Sequence, residues 1–167
     1  MQVCEAFLTA GENALQQLVR GISIGKLKTY QLYEPLKARA RLAKLNSESL
    51  RKAAPRFWQR LEEHDEDFAK DLAQAILVSQ LDMIISVLDF LGIPHQDGFF
   101  SKDSNAAGYL TEGWQQRVLD RFQDQFPPAA LIFYINHLTA DLAKDEQPFA
   151  PEGWTAQVVA STPQVHE

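Results

Sequence analysis

Residues 67–91 read DFAKDLAQAILVSQLDMIISVLDFL, and their apolar positions recur at helical steps. Leu72, Ile76, Leu77, Leu81, Ile84, Ile85, Leu88 and Leu91 trace the core-facing row, and Phe68, Met83, Val87 and Phe90 widen it. The polar remainder is a narrow line of Asp71, Ser79, Asp82, Ser86 and Asp89, continued by the small Ala75. A helix apolar on nearly every side belongs in the middle of a bundle. The run is also long enough to span a bilayer, but Asp82 and Asp89 would each cost a few kcal/mol near the bilayer centre. The expectation is therefore a continuous buried helix of about seven turns.

On the N-terminal side, residues 2–20 form an amphipathic pattern with Phe7, Leu8, Leu15, Leu18 and Val19 on the inner face. Gly11 marks a kink or a close helix crossing, and Gly21 ends the pattern. Residues 22–34 are ambiguous between a short helix and extended chain. Pro35 restarts a helical reading along Leu36, Ala40 and Ala43, and Asn46-Ser47 is a capping pair for the next helix. Pro55 interrupts that helix or begins another, since an interior proline costs about 3 kcal/mol. Phe57, Trp58 and Leu61 then lead through an acidic run into residues 67–91.

On the C-terminal side, Gly92 and Pro94 stop the long helix. Residues 92–110 show no period, and a connection of that length inside a domain points to a functional or mobile loop. Thr111 is expected to cap a helix burying Trp114, Val118, Leu119, Phe122 and Phe126. Pro127-Pro128 breaks it and opens a final helix to about Lys144, with Leu131, Ile135, Leu138 and Leu142 as its core row. Residues 146–167 read as a proline-containing tail anchored by Phe149 and Trp154. The expected fold is all-α: one domain over residues 1–145, a bundle of six or seven helices around a central buried helix.

The chain has 167 residues and a net charge of −6, enough length for one sizeable core. Its single cysteine, Cys4, excludes an internal disulfide framework and a cysteine-rich zinc site. Cys4 keeps helical spacing with Phe7, Leu8 and Leu15, so a buried structural thiol is expected. With no secretory leader pattern, the expected location is the cytoplasm.

The charges are unevenly distributed. Residues 20–61 hold eleven basic side chains against Glu34 and Glu48, a net +9, whereas residues 62–167 carry five basic and eighteen acidic ones. Lys37, Arg41 and Lys44 share one helix face, and Lys52, Arg56 and Arg60 share another. With Tyr30, Tyr33, Phe57 and Trp58 interleaved, such a face suits a phosphate backbone with stacked bases. The acidic total opposes a polyanion at long range, and no helix-turn-helix register fits around Gly21 or Gly25. The same charges also suit a partner protein or an acidic helix of the same fold.

Chemical motifs are sparse. His137 and Asp141 lie one helical turn apart and form a candidate His–carboxylate pair. The residues three before the four histidines are Leu61, Gly92, Tyr134 and Pro163, so the Glu-x-x-His pattern of di-iron bundles is missing. No metal and no cofactor are expected. His95 and Asp97 lie just past the C-terminal end of the long helix, where a cation is favoured. Gly98 with Phe99-Phe100 reads equally as a turn and an apolar plug.

The leading expectation is a non-enzymatic protein-interaction or regulatory domain, partnered by another protein or by itself as a homodimer. The alternative is nucleic-acid binding through residues 20–60, using Lys37, Arg41, Lys44, Lys52, Arg56 and Arg60. A third is a small-molecule-binding or enzymatic bundle with His95, Asp97, His137 and Asp141 near a pocket beside the 92–110 loop.

Overall fold

The computed structural model describes residues 2–22, 47–101 and 104–151. Seven α-helices run through them: α1 (Val3–Ala10), α2 (Glu12–Arg20), α3 (Ser47–Glu62), α4 (Glu66–Val78), α5 (Leu81–Leu91), α6 (Trp114–Phe122) and α7 (Pro128–Leu142), with a 3-10 turn at Ala106–Tyr109. The described residues contain no β-strand, only one isolated bridge between Gln96 and Phe99. The fold is all-α. The helical pattern expected from Pro35, and the Trp154 anchor, lie outside the described residues.

The helix expected over residues 67–91 is two helices. α4 ends at Val78, α5 starts at Leu81, and the axes turn by 85° between them. The break is built locally: the Ser79 hydroxyl donates to the Ala75 carbonyl at 2.7 Å, the back-bonding that bends helices. The Ser79 and Gln80 amides tighten onto the carbonyls of Ile76 and Leu77, and Gln80 leaves helical geometry with φ −122° and ψ 36°. Length supplies the larger reason. A straight 25-residue helix would measure about 37 Å, more than a small domain can cover, so folding back lets both apolar halves be buried. No single helix among the described residues is long and apolar enough to cross a membrane.

α7 takes the central place. Every residue from Ala129 to Asn136 is buried, as are Leu138 and Thr139. α7 packs against α1, α2, α4 and α6, and Phe133 meets Phe7 with ring centroids 4.4 Å apart. Of the core row expected from Leu131, Ile135, Leu138 and Leu142, the first three are buried and Leu142 is half-buried against the core, and Ile132, Phe133 and Tyr134 on the other faces are buried too. The two buried polar side chains of α7, Asn136 and Thr139, are satisfied, whereas the buried Trp114 indole N–H of α6 has no partner among the described residues. Thr139 Oγ1 donates to the Ile135 carbonyl and accepts from Gln115 Nε2. Asn136 pairs with both backbone groups of Phe149, accepting from its N–H at 2.7 Å and donating to its carbonyl at 2.9 Å. Phe149 is thus the anchor its sequence position suggested.

Three local expectations change. Residues 2–20 form two helices, because Gly11, at φ 91°, takes a backbone conformation open to glycine and breaks the run. α3 continues through Pro55; the proline is exposed, while Ala54, Phe57 and Leu61 are fully buried and hold the helix across it. Thr111 does not cap α6. Gly113 precedes the first turn, and the Thr111 hydroxyl instead accepts from Arg117 Nη2 at 2.6 Å.

The N-terminus of α1 is closed from another helix. Glu66, the first residue of α4, accepts from the backbone N–H groups of Val3 at 2.7 Å and Cys4 at 3.1 Å, placing a carboxylate at the positive end of the α1 dipole. Cys4 is buried as expected, and burial together with the neighbouring Glu66 pushes its thiol up to about 12. For Glu66, partial burial favours the neutral form, but the Val3 and Cys4 donors and nearby Lys70 outweigh it and lower the carboxyl below its ordinary value. The carboxylate therefore contributes its full stabilisation above the ordinary glutamate range and loses it below that range, as pH falls through the lowered folded-state value. Glu66→Gln should lower the unfolding free energy by about 1–2 kcal/mol at pH 7. The gap should narrow as pH falls below the ordinary glutamate range, as read by urea denaturation of both proteins.

Candidate ligand cleft at the helix elbow

The 85° turn between α4 and α5 leaves a concavity on its inner side. A cleft of about 220 Å³ opens there, walled by α4, α5, the last two turns of α7 and the 98–100 segment. Its floor is apolar, from Leu77, Leu81, Ile84 and Leu138, and Gln74 stands on its rim. Tyr134, His137 and Asp141 face it from α7. Their spacing of three and four residues sets them on one helix face.

The segment over the cleft is a tight two-residue turn. Gln96 and Phe99 exchange both backbone hydrogen bonds, at 2.8 and 3.0 Å. The intervening Asp97 and Gly98 have φ 51° and 87°, and positive φ at both central positions is what a type I′ turn needs, with Asp-Gly a preferred pair. Contact favours Gly98 as well: a Cβ there would lie 3.2 Å from Ile84 Cγ2, tighter than an ordinary van der Waals contact. His95 holds the turn in place. Its Nδ1 accepts from the Gly98 N–H at 3.1 Å, and its Nε2 lies 3.0 Å from Asp89 Oδ1 in the last turn of α5. With Nδ1 accepting, the ring proton is on Nε2 and points at Asp89. Phe100 packs against the core, while Phe99 is 58% exposed at the cleft mouth.

Of the four residues expected near a pocket, His137 and Asp141 line one. His95 and Asp97 do not; they build the turn that forms its wall. The partners that sequence reasoning missed are Tyr134 and Gln74. Tyr134 was legible in principle, three residues before His137 and seven before Asp141 on the same face.

Burial sets the protonation of the cleft. It lowers the His137 imidazole below its ordinary value, and Asp141, with its Oδ2 3.6 Å from His137 Nε2, opposes that shift. It also pushes the Tyr134 phenol up, reinforced by Asp141. The cleft thus presents a neutral imidazole, a protonated phenol and one carboxylate. Tyr134 is 3% exposed, and no hydrogen bond to its hydroxyl is present among the described residues.

On the basic segment, Lys52, Arg56 and Arg60 are exposed on α3, one turn apart as expected. Arg60 lies 3.6 Å from Asp65 and over the Phe68 ring at 5.4 Å. Lys37, Arg41 and Lys44 lie outside the described residues. No group of three or more potential metal ligands occurs among the described residues. No family model, curated protein or solved structure matches this chain, so a functional reading rests on the geometry above.

Two outcomes follow. His95→Ala should release the turn, speeding hydrogen exchange of the Gly98 and Phe99 amides by about tenfold while leaving the amides of α7 protected. Unchanged exchange would mean His95 does not hold the wall. Second, the folded state resists a proton on His137 that the unfolded chain accepts as pH drops through about 6.5. Stability should therefore fall from pH 7 toward pH 5, and His137→Gln should flatten that limb of a pH series of urea unfolding curves.

Proposed function

We propose that this protein is a ligand-binding helical domain that takes a small organic molecule in the cleft at the α4–α5 elbow. The observation that carries this reading is convergence: an apolar floor, an aromatic mouth and three polar groups of distinct hydrogen-bonding character meet in one concavity. That composition is typical of small-molecule sites, although drug-sized ones run to roughly 300–1,000 Å³. At about 220 Å³, this cleft suits a single ring with a short substituent. Binding of a ligand that small should be modest, with Kd on the order of 10–1,000 µM.

Ligand-observed NMR with a fragment library tests this. Hits should shift the side-chain resonances of Leu77, Leu138 and His137. Gln74 is exposed at the rim, so Gln74→Trp should fill the cleft without disturbing the core and abolish those hits. Fragments that bind Gln74→Trp as well as the native protein would remove the cleft from consideration.

A second reading, protein contact through the 92–110 loop, is favoured by a separate observation. Phe90 and Tyr109 are 43% and 42% exposed and bracket a surface groove with Thr111 and Arg117. Exposed aromatics beside an arginine are the composition of interface anchors, which agrees with an interaction role, including self-association.

A further inference from the structure

We propose that the cleft selects an organic cation: a primary amine carried on one aromatic or branched apolar group. This rests on the ligand-binding reading above and names the chemistry of its ligand. Among the described residues, the one formal charge on the cleft wall is Asp141, and no lysine or arginine lines it. Asp141 is also electrostatically misplaced for the fold. It lies in the last turn of α7, which ends at Leu142 and holds no basic residue, where the helix dipole disfavours a carboxylate and favours a cation. An ammonium group beside Asp141 would relieve both charges.

The neighbours suit the same group. A neutral His137 offers a ring-nitrogen acceptor, and the Tyr134 hydroxyl on the cleft wall is an oxygen acceptor without a partner among the described residues. With the Asp141 carboxylate, these make three acceptors for the three protons of an ammonium ion. Phe99 at the mouth and Phe100 beside it present rings to a cation or to an aryl body. Leu77 and Ile84 receive the apolar end. A carboxylate or phosphate ligand would instead meet Asp141 at close range within a chain of net charge −6, with no basic side chain among the described wall residues to offset it.

The test is an isosteric series on the full chain: 2-phenylethylamine, 2-phenylethanol and phenylacetate, titrated by protein-observed NMR at pH 7.5 and low salt. The amine should bind at least tenfold more tightly than the alcohol, and the carboxylate should leave the cleft resonances unmoved. Asp141 is exposed, so Asp141→Asn should fold normally, lose about tenfold for the amine and leave the alcohol unchanged. Tyr134→Phe should weaken the amine further without changing which ligand is preferred. Equal binding of amine and alcohol in the native cleft would overturn the cation inference while sparing the ligand-binding reading. An amine preference that survives in Asp141→Asn would overturn it too, by placing the recognition elsewhere. If none of the three compounds moves Leu77, Leu138 or His137, both proposals fall together.

Discussion

The enclosure of α7 is the constraint on which the other elements depend. A helix buried from Ala129 to Asn136 on every side needs neighbours on every side, and α1, α2, α4 and α6 supply them. The two polar side chains of α7 that are fully buried, Thr139 and Asn136, are both paired. Thr139 turns back to its own helix and takes a donor from α6, while Asn136 holds an extended segment through both backbone groups of Phe149. Each unpaired partner would leave a buried polar group costing about 1–3 kcal/mol. Phe149 is accordingly part of the core closure, although its surroundings in the sequence are proline-rich and aperiodic.

The all-α class was legible from periodicity, but the centre of the bundle was not. Residues 67–91 form the longest apolar pattern and drew the role of central helix, whereas residues 128–142 hold it. Apolar periodicity reports which faces can be buried; it does not report which run is enclosed by the others. In α7 the signal was present in the adjacent Leu131, Ile132, Phe133, Tyr134 and Ile135, an apolar run with no wet face for a full turn and more. A single row along Leu131, Ile135, Leu138 and Leu142 understates it. The elbow at Ser79-Gln80 was harder to see. Ser86 makes the same hydroxyl-to-carbonyl bond, to Asp82 at 2.8 Å, without breaking α5. A serine in the polar line is therefore not sufficient; the limit on helix length set by the size of the core decides where the chain turns.

The site was legible in pieces. The His137–Asp141 spacing was readable because a helix repeats, and the structure keeps those two residues together on a cleft wall. Asp97 carried a different signal, since Asp-Gly between Gln96 and Phe99 is turn chemistry, and its positive φ is its contribution. His95 was placed correctly beside the end of α5, yet its two ring nitrogens are both engaged, one by Gly98 and one by Asp89. What the sequence could not supply was the meeting of α4, α5 and α7. That contact exists because the helix over residues 67–91 is broken.

Core and cleft therefore have one origin. Had residues 67–91 stayed straight, the second half would have run past the domain and the inner angle would not exist. The 85° turn lets α5 leave α4 to pack on α6, and the angle is only partly refilled by the 96–99 turn. Gly98 brings that turn to within van der Waals reach of Ile84, and His95 ties it to the end of α5, so the opposite wall is held by hydrogen bonds as well as by packing. α7 completes the enclosure where it emerges from the core: fully buried residues stop at Thr139, and His137, Ala140 and Asp141 are the first to see solvent. A carboxylate at that point is tolerated because it is wet, and it remains uncompensated by any basic residue in the last turn of α7. The same geometry that buries the middle of α7 thus leaves its end as a half-enclosed recess with one carboxylate and aromatic neighbours, and the proposed recognition of a small organic cation rests on that recess alone.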